Sequence, residues 1–139
     1  MKAIHIKSSL IAESLDAKPV QGKRMLEPLS AFAKENTVPL GLLEDTEVSN
    51  DAEVHIKAGD LWQCIEGEVT FICGGELEAP EFRKNLDGTD NPNELFAKSI
   101  KSGETFLLKK GDWLWIPSGE PHQHSTSTTA RLFIIKVPG

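Results

Sequence analysis

The chain has 139 residues, 15 of them basic and 21 acidic, for a formal net charge of −6. That length suits one domain with a core of its own and no room for a second, and an acidic balance without a basic stripe argues against nucleic acid as a partner. No apolar run approaches the roughly 18 residues of a membrane span, and the N-terminus lacks the apolar segment and cleavage site of a signal peptide. No membrane contact is therefore expected, and a cytoplasmic location is.

In residues 2–12 the alternation at Ile4 and Ile6 predicts a short strand, with His5 on its edge. From Ala12 to Pro39, the breakers Pro19, Gly22, Pro28 and Pro39 interrupt every longer run. One or two helical turns fit at Leu29 to Lys34. Pro39 to Leu43 predicts another short strand, ahead of an acidic segment from Glu44 to Asp51.

Order becomes legible at Glu53. The run Glu53-Val-His55-Ile-Lys57 alternates strictly, which places Glu53, His55 and Lys57 on one face. Ala58-Gly59 turns the chain, and Asp60 to Ile65 forms the next strand. Glu66-Gly67 reads as a two-residue hairpin turn returning Glu68 to Cys73. That register sets Cys64 against Val69, Trp62 against Phe71 and Asp60 against Cys73. It separates the two cysteines by roughly 13 Å at ~3.3 Å per residue, beyond the ~7 Å that a disulfide spans. Both thiols are expected to be free and buried.

Glu76 to Lys101 has no sustained period and is too long for an ordinary connection. It reads as a folded excursion, either a lid beside a site or a surface insertion, fastened by Phe82, Leu86, Leu95 and Phe96. Thr105–Leu108 and Asp112–Ile116 read as strands, with Trp113 and Trp115 on one face and expected to pack inside. Pro117 and Gly119 make a tight turn that delivers His122 and His124 to one face of another strand. Ser125 to Thr129 reads as a hydroxyl-rich turn, and Arg131 to Val137 as a buried closing strand. Many short strands between glycine and proline turns predict an all-β sandwich or barrel.

Two stretches carry a family resemblance. The spacing of Gly111, Pro117, Gly119 and His122 resembles the second signature of the cupin superfamily, and His55, Asp60 and Glu66-Gly67 resemble parts of the first. The run from Glu53 to Val69, followed by Gly74-Gly75 and a long insertion, is also similar to small single-domain bacterial cupins. The resemblance spans about 48–137. It implies a double-stranded β-helix, the cupin jelly-roll barrel, with residues 1–47 as an extension of short strands and one short helix, an insertion at 76–101, and a homodimer.

It also implies a site. His55, Asp60 and His122 fall at metal-ligand positions and form a 2-His-1-carboxylate set, a facial arrangement typical of non-haem iron and also open to Mn, Ni or Zn. Glu53 or Lys57 stands where the family carries its other histidine. Glu53 and His124 are candidates for completing the metal shell or for proton transfer, and Lys57, Trp62, Phe71 and Cys73 for pocket lining, with Lys57 favouring an anionic ligand. Two functions follow. One is a metalloenzyme, dioxygenase-like or an isomerase or lyase, acting on a small organic acid, aromatic or sugar. The other is a metal-free barrel that binds a small anionic ligand.

Overall fold

The computed structural model describes residues 2–139 and is built around one long strand, β12 (His122–Pro138). Its first half lies beside β5 (Glu68–Cys73) and β3 (Ala52–His55), and its second half between β4 (Ala58–Glu66) and β2 (Leu40–Ser49). From this spine β10 (Glu104–Lys109) adds to β5 and β11 (Trp113–Ile116) to β4. β1 (Gly22–Met25) adds to β2, while β8 (Asp90–Ala97) and then β7 (Glu81–Lys84) add to β3. All these pairs are antiparallel, and the two layers share β12, as in a jelly roll. A separate two-residue pair joins β6 (Glu76–Leu77) to β9 (Ile100–Lys101). No helix among the described residues is long and apolar enough to cross a membrane.

Strand alternation builds the core. Trp62 and Cys64 of β4, Val69 and Phe71 of β5, Leu108, Ile116 and Leu132 point between the layers and are buried together. The opposite face of β2 presents Leu42, which joins Leu26, Leu29 and Phe133 under two short helices, α1 (Ser8–Leu15) and α2 (Leu29–Glu35). The helix expected after Pro28 is therefore present. A second one, α1, stands next to the place where a strand was expected, since residues 2–7 pair with nothing.

The Glu66-Gly67 turn exists, but it does not close a hairpin. Both edges of β4 are taken by β11 and β12, and both edges of β5 by β10 and β12, so β4 and β5 face each other across the core. Gly67 makes the crossing with φ +73, and a Cβ there would lie 2.1 Å from the Thr129 carbonyl oxygen. Only glycine fits so close a passage. Trp62 and Phe71 still meet, with ring centroids 5.4 Å apart, but through the interior. Asp60 lies beside Ile116 and Lys136, and Cys73 beside His122, rather than beside each other. Both cysteines are free, Cys64 buried and Cys73 half-buried.

Other expectations are corrected as well. Ser125 to Thr129 is not a turn: β12 runs through it, with a register shift between Thr126 and Thr129 that lets the strand bend from one layer to the other. The strand expected at Pro39 to Leu43 runs on into the acidic stretch. β2 continues to Ser49, so the proposed boundary at 48 falls inside a strand of the barrel. Glu44 and Asp45 are fully buried on opposite faces of β2 because each has a partner, Arg24 and Arg131 for Glu44 and His124 for Asp45. Trp113 and Trp115 point outward, 55% and 50% exposed, while Ile116 of the same strand is buried. The 76–101 insertion extends the β3 layer, since the second half of β8, Glu94 to Ala97, pairs with β3.

Candidate metal centre

Three strands deliver the site. Glu53 and His55 stand two residues apart on β3, and His122 opens β12 directly opposite Glu53. Asp60 comes from β4, opposite Lys136 near the end of β12. His55 Nε2 lies 3.4 Å from Glu53 Oε2 and 3.5 Å from Asp60 Oδ2. His122 Nε2 lies 3.5 Å from the same Asp60 Oδ2, and the two imidazole centroids are 4.9 Å apart. Glu53, His55 and His122 bring potential ligand atoms within 4.8 Å of one another. His122 and Asp60 are buried, whereas Glu53 is partly open to solvent.

The outer nitrogens fix the tautomers. His55 Nδ1 sits 2.8 and 2.9 Å from the two oxygens of Glu94 on β8, so that nitrogen donates. His122 Nδ1 donates to the Glu120 carbonyl at 3.1 Å. In both rings the Nε2 lone pair is left pointing inward. The two lone pairs converge on Asp60 Oδ2, a buried oxygen with no hydrogen-bond partner of its own. Imidazoles held from behind by a carboxylate and a carbonyl, around an unsatisfied carboxylate oxygen, are a donor set that could hold a divalent transition metal.

The electrostatics agree with a strongly coupled cluster. Burial by itself would raise the Asp60 pKa, but the neighbouring His55 and the Lys136 ammonium outweigh it and hold the carboxyl at about 2. Burial also opposes ionisation of Glu53, yet His55, Lys23, His122 and Arg83 bring its pKa below the ordinary value. His55 is raised, because Asp60 and Glu94 overcome the effects of burial and Lys136. His122 is lowered, chiefly by burial, which favours the neutral ring.

The remaining expected site residues lie elsewhere. His124 shares a strand face with His122 but reaches into the core, where Nδ1 lies 2.8 Å from Asp45 Oδ2 and the ring packs at 5.1 Å from both Trp62 and Phe71. None of its contacts among the described residues is with the metal cluster, so a proton-transfer role there has no geometry behind it. Lys57 is exposed beyond the end of β3 and does not line the site. Trp62 and Phe71 are core residues. Cys73 lines a cavity of about 350 Å³ with Phe106, Leu114, Ile116 and Glu120, beside the metal cluster but containing none of it. Burial, with Glu120 and Glu104 nearby, pushes the Cys73 thiol up to about 11, which suits packing and not nucleophilic attack.

Three contributors were not anticipated. Glu94 arrives from the insertion. Arg83 of β7 donates to Glu53 Oε1 at 2.9 Å and stacks 4.3 Å over the Phe96 ring. Lys136 Nζ lies 2.7 Å from Asp60 Oδ1 and 3.3 Å from His55 Nε2. One signal did point to Lys136, a lone charge inside the apolar run Leu132 to Val137.

Two antiparallel layers joined through a shared strand, with histidines and carboxylates gathered from β3, β4 and β12, define a double-stranded β-helix with a candidate metal centre. This is the cupin fold. Among solved structures, a predicted oxalate decarboxylase from Thermotoga maritima matches at 16% identity and TM-score 0.54, over 84% of this chain and 81% of that one. An oxalate oxidase matches at 17% identity and TM-score 0.53, over 95% of this chain and 59% of the other. The Drosophila melanogaster CENP-C cupin domain matches at 13% identity and TM-score 0.46, over 70% of this chain and 59% of that domain. Of five further matching chains, this one spans between 49% and 68%. At these identities the likeness is one of fold. No protein-family model matches the sequence, and no curated protein does.

Proposed function

We propose that this protein is a cupin-type metalloenzyme acting on a small organic acid, with one divalent transition metal held by His55, His122 and Asp60 and with Glu53 beside them. One observation carries the reading: two imidazoles whose Nδ1 atoms are engaged from behind aim their Nε2 lone pairs at the unpartnered Asp60 Oδ2. Iron is the favoured metal, because two imidazoles and a carboxylate match the facial set that binds it; Mn, Ni and Zn suit the same donors. Such a metal supplies a Lewis acid, and iron in addition a one-electron redox centre, which makes a dioxygenase-like reaction the leading class. The protein's own part is to hold the ligands, to keep water off buried Asp60 and His122, and to offer Glu53, partly open and near His55, as the group that accepts or returns a proton. Arg83 holds Glu53 in place and favours its ionised form. Two proteins of the same fold are named for oxalate, which agrees with a small acid as substrate. In this reading the molecule is a cytoplasmic homodimer, with two free thiols and an outward Trp113–Trp115 face in keeping with that.

Cobalt(II) substitution tests the centre directly. Visible absorption bands of a nitrogen- and oxygen-ligated ion should appear at one equivalent and be lost in His55→Ala and His122→Ala. Oxygen uptake by the iron-loaded protein with small carboxylic acids then tests the reaction class. A second reading, a metal-free module for anionic ligands, is favoured by Lys136, whose ammonium already neutralises Asp60. Absence of any cobalt spectrum would select it.

A further inference from the structure

Lys136 makes two contacts, and a bound metal would not leave the one to His55 in place. Its ammonium is hydrogen-bonded to Asp60 Oδ1 and to the Nε2 lone pair of His55. That lone pair is single, and Glu94 on the other side of the ring prevents the tautomer from reversing. A metal bound through His55 Nε2 therefore removes one acceptor from Lys136 outright and places a dication next to its charge. The side chain has somewhere to go. It is 46% exposed, on a flexible four-carbon stem near the end of β12, and the open side of the site is where Glu53 and Arg83 meet solvent.

We propose that Lys136 is an internal cation that the metal displaces, and that its released ammonium then binds the anionic group of a small organic-acid ligand at the mouth of the site. The inference rests on the metal-centre reading and adds to it a residue that sets both metal affinity and ligand charge. The surroundings support an anion. Although the chain carries a net charge of −6, Lys136, Arg83 and the more distant Lys23 all act on the Glu53–Asp60 side of the cluster. Arg83 is committed to Glu53 and Phe96, which leaves Lys136 as the cation whose partners change when the metal arrives.

Equilibrium dialysis of chelator-stripped protein against Co(II) tests the displacement, with Lys136→Met as the variant and Lys23→Met as a control for charge alone. Lys136→Met should bind Co(II) roughly tenfold more tightly or better, since an ammonium hydrogen bond to a ligand no longer has to be broken, and Lys23→Met should change the affinity much less. Acetate titrated into the Co(II)-loaded protein, with acetamide as the neutral control, tests the second half. Acetate should bind roughly tenfold more weakly to Lys136→Met than to wild type, the loss expected for one charged hydrogen bond, and Lys136→Arg should restore it. Cobalt bound by Lys136→Met but not by wild type would overturn the proposal, since the ammonium would then exclude the metal instead of yielding to it. Equal cobalt affinity in the two proteins, an equal gain in Lys23→Met, or undiminished acetate binding would overturn the proposal while leaving the metal centre intact. If neither protein bound cobalt, the metal centre and the proposal would both fall.

Discussion

His55 and His122 are defined as much by what stands behind them as by what they face. Glu94 holds His55 through Nδ1 and the Glu120 carbonyl holds His122, so each ring enters the site with its direction and tautomer set. Outer partners of metal-bound histidines typically contribute 10–100-fold to affinity. Glu94→Gln should therefore weaken metal binding by roughly that factor without unfolding the protein, and isothermal titration would measure it. Asp60 gives a second test, in the metal-free protein. Its folded pKa, about 2, lies below the ordinary 3.8, so the unfolded chain takes up a proton between these values that the folded chain refuses. The stability contributed is whole above about pH 4 and is lost as pH falls toward 2. His55 has the opposite sign: with its pKa raised, its contribution is complete below its unfolded value and is lost as pH rises through the folded one. Melting of chelator-treated protein between about pH 5 and pH 2 should fall more steeply for wild type than for Asp60→Asn, and parallel curves would contradict the ion pairs.

At the level of elements, β2 and β12 carry the fold, and their buried charges fasten the N-terminal segment to it. Arg131 bonds Glu44 at 2.7 and 2.9 Å and reaches the carbonyls of Leu15, at 2.5 Å, and Ala17. Breaking a buried pair by removing one partner costs about 3–5 kcal/mol. Arg24 would remain on Glu44, so Arg131→Met should fall near the lower end, about 3 kcal/mol by urea unfolding, with faster amide exchange in α1. A loss under about 1 kcal/mol would show that the pair behaves as an exposed one. The elements also mark where the sequence was readable. Strand periodicity placed Glu53 and His55 on one face, and the Pro117–Gly119 turn delivered His122. The partner of each strand was not readable, because the same turn residues at Glu66-Gly67 serve a hairpin or a corner between layers. Hence Cys73 was set against Asp60, whereas its neighbour is His122. Glu94, Arg83 and Lys136 join the site through pairings 39, 30 and 76 residues apart in the chain, which local pattern does not encode. Glu44 and Asp45 stand out in the sequence only as part of an acidic segment for the same reason: their partners Arg131 and His124 are distant in the chain.

For the molecule as a whole, the barrel brings the candidate ligands from β3, β4 and β12 to one point, so metal binding should not have to order the chain. A ligand that meets a preformed site stabilises the folded state in proportion to the logarithm of its free concentration over Kd. The most direct measurement is the metal content, by inductively coupled plasma mass spectrometry, of protein purified without chelators, alongside its melting temperature before and after metal addition. Wild-type protein should carry close to one equivalent of a divalent transition metal, melt at a lower temperature once stripped, and recover on reloading. His122→Ala should stay folded and carry almost none. Wild-type protein with less than about a tenth of an equivalent, and a melting temperature that iron, manganese, nickel and zinc all leave unchanged, would contradict the metal centre.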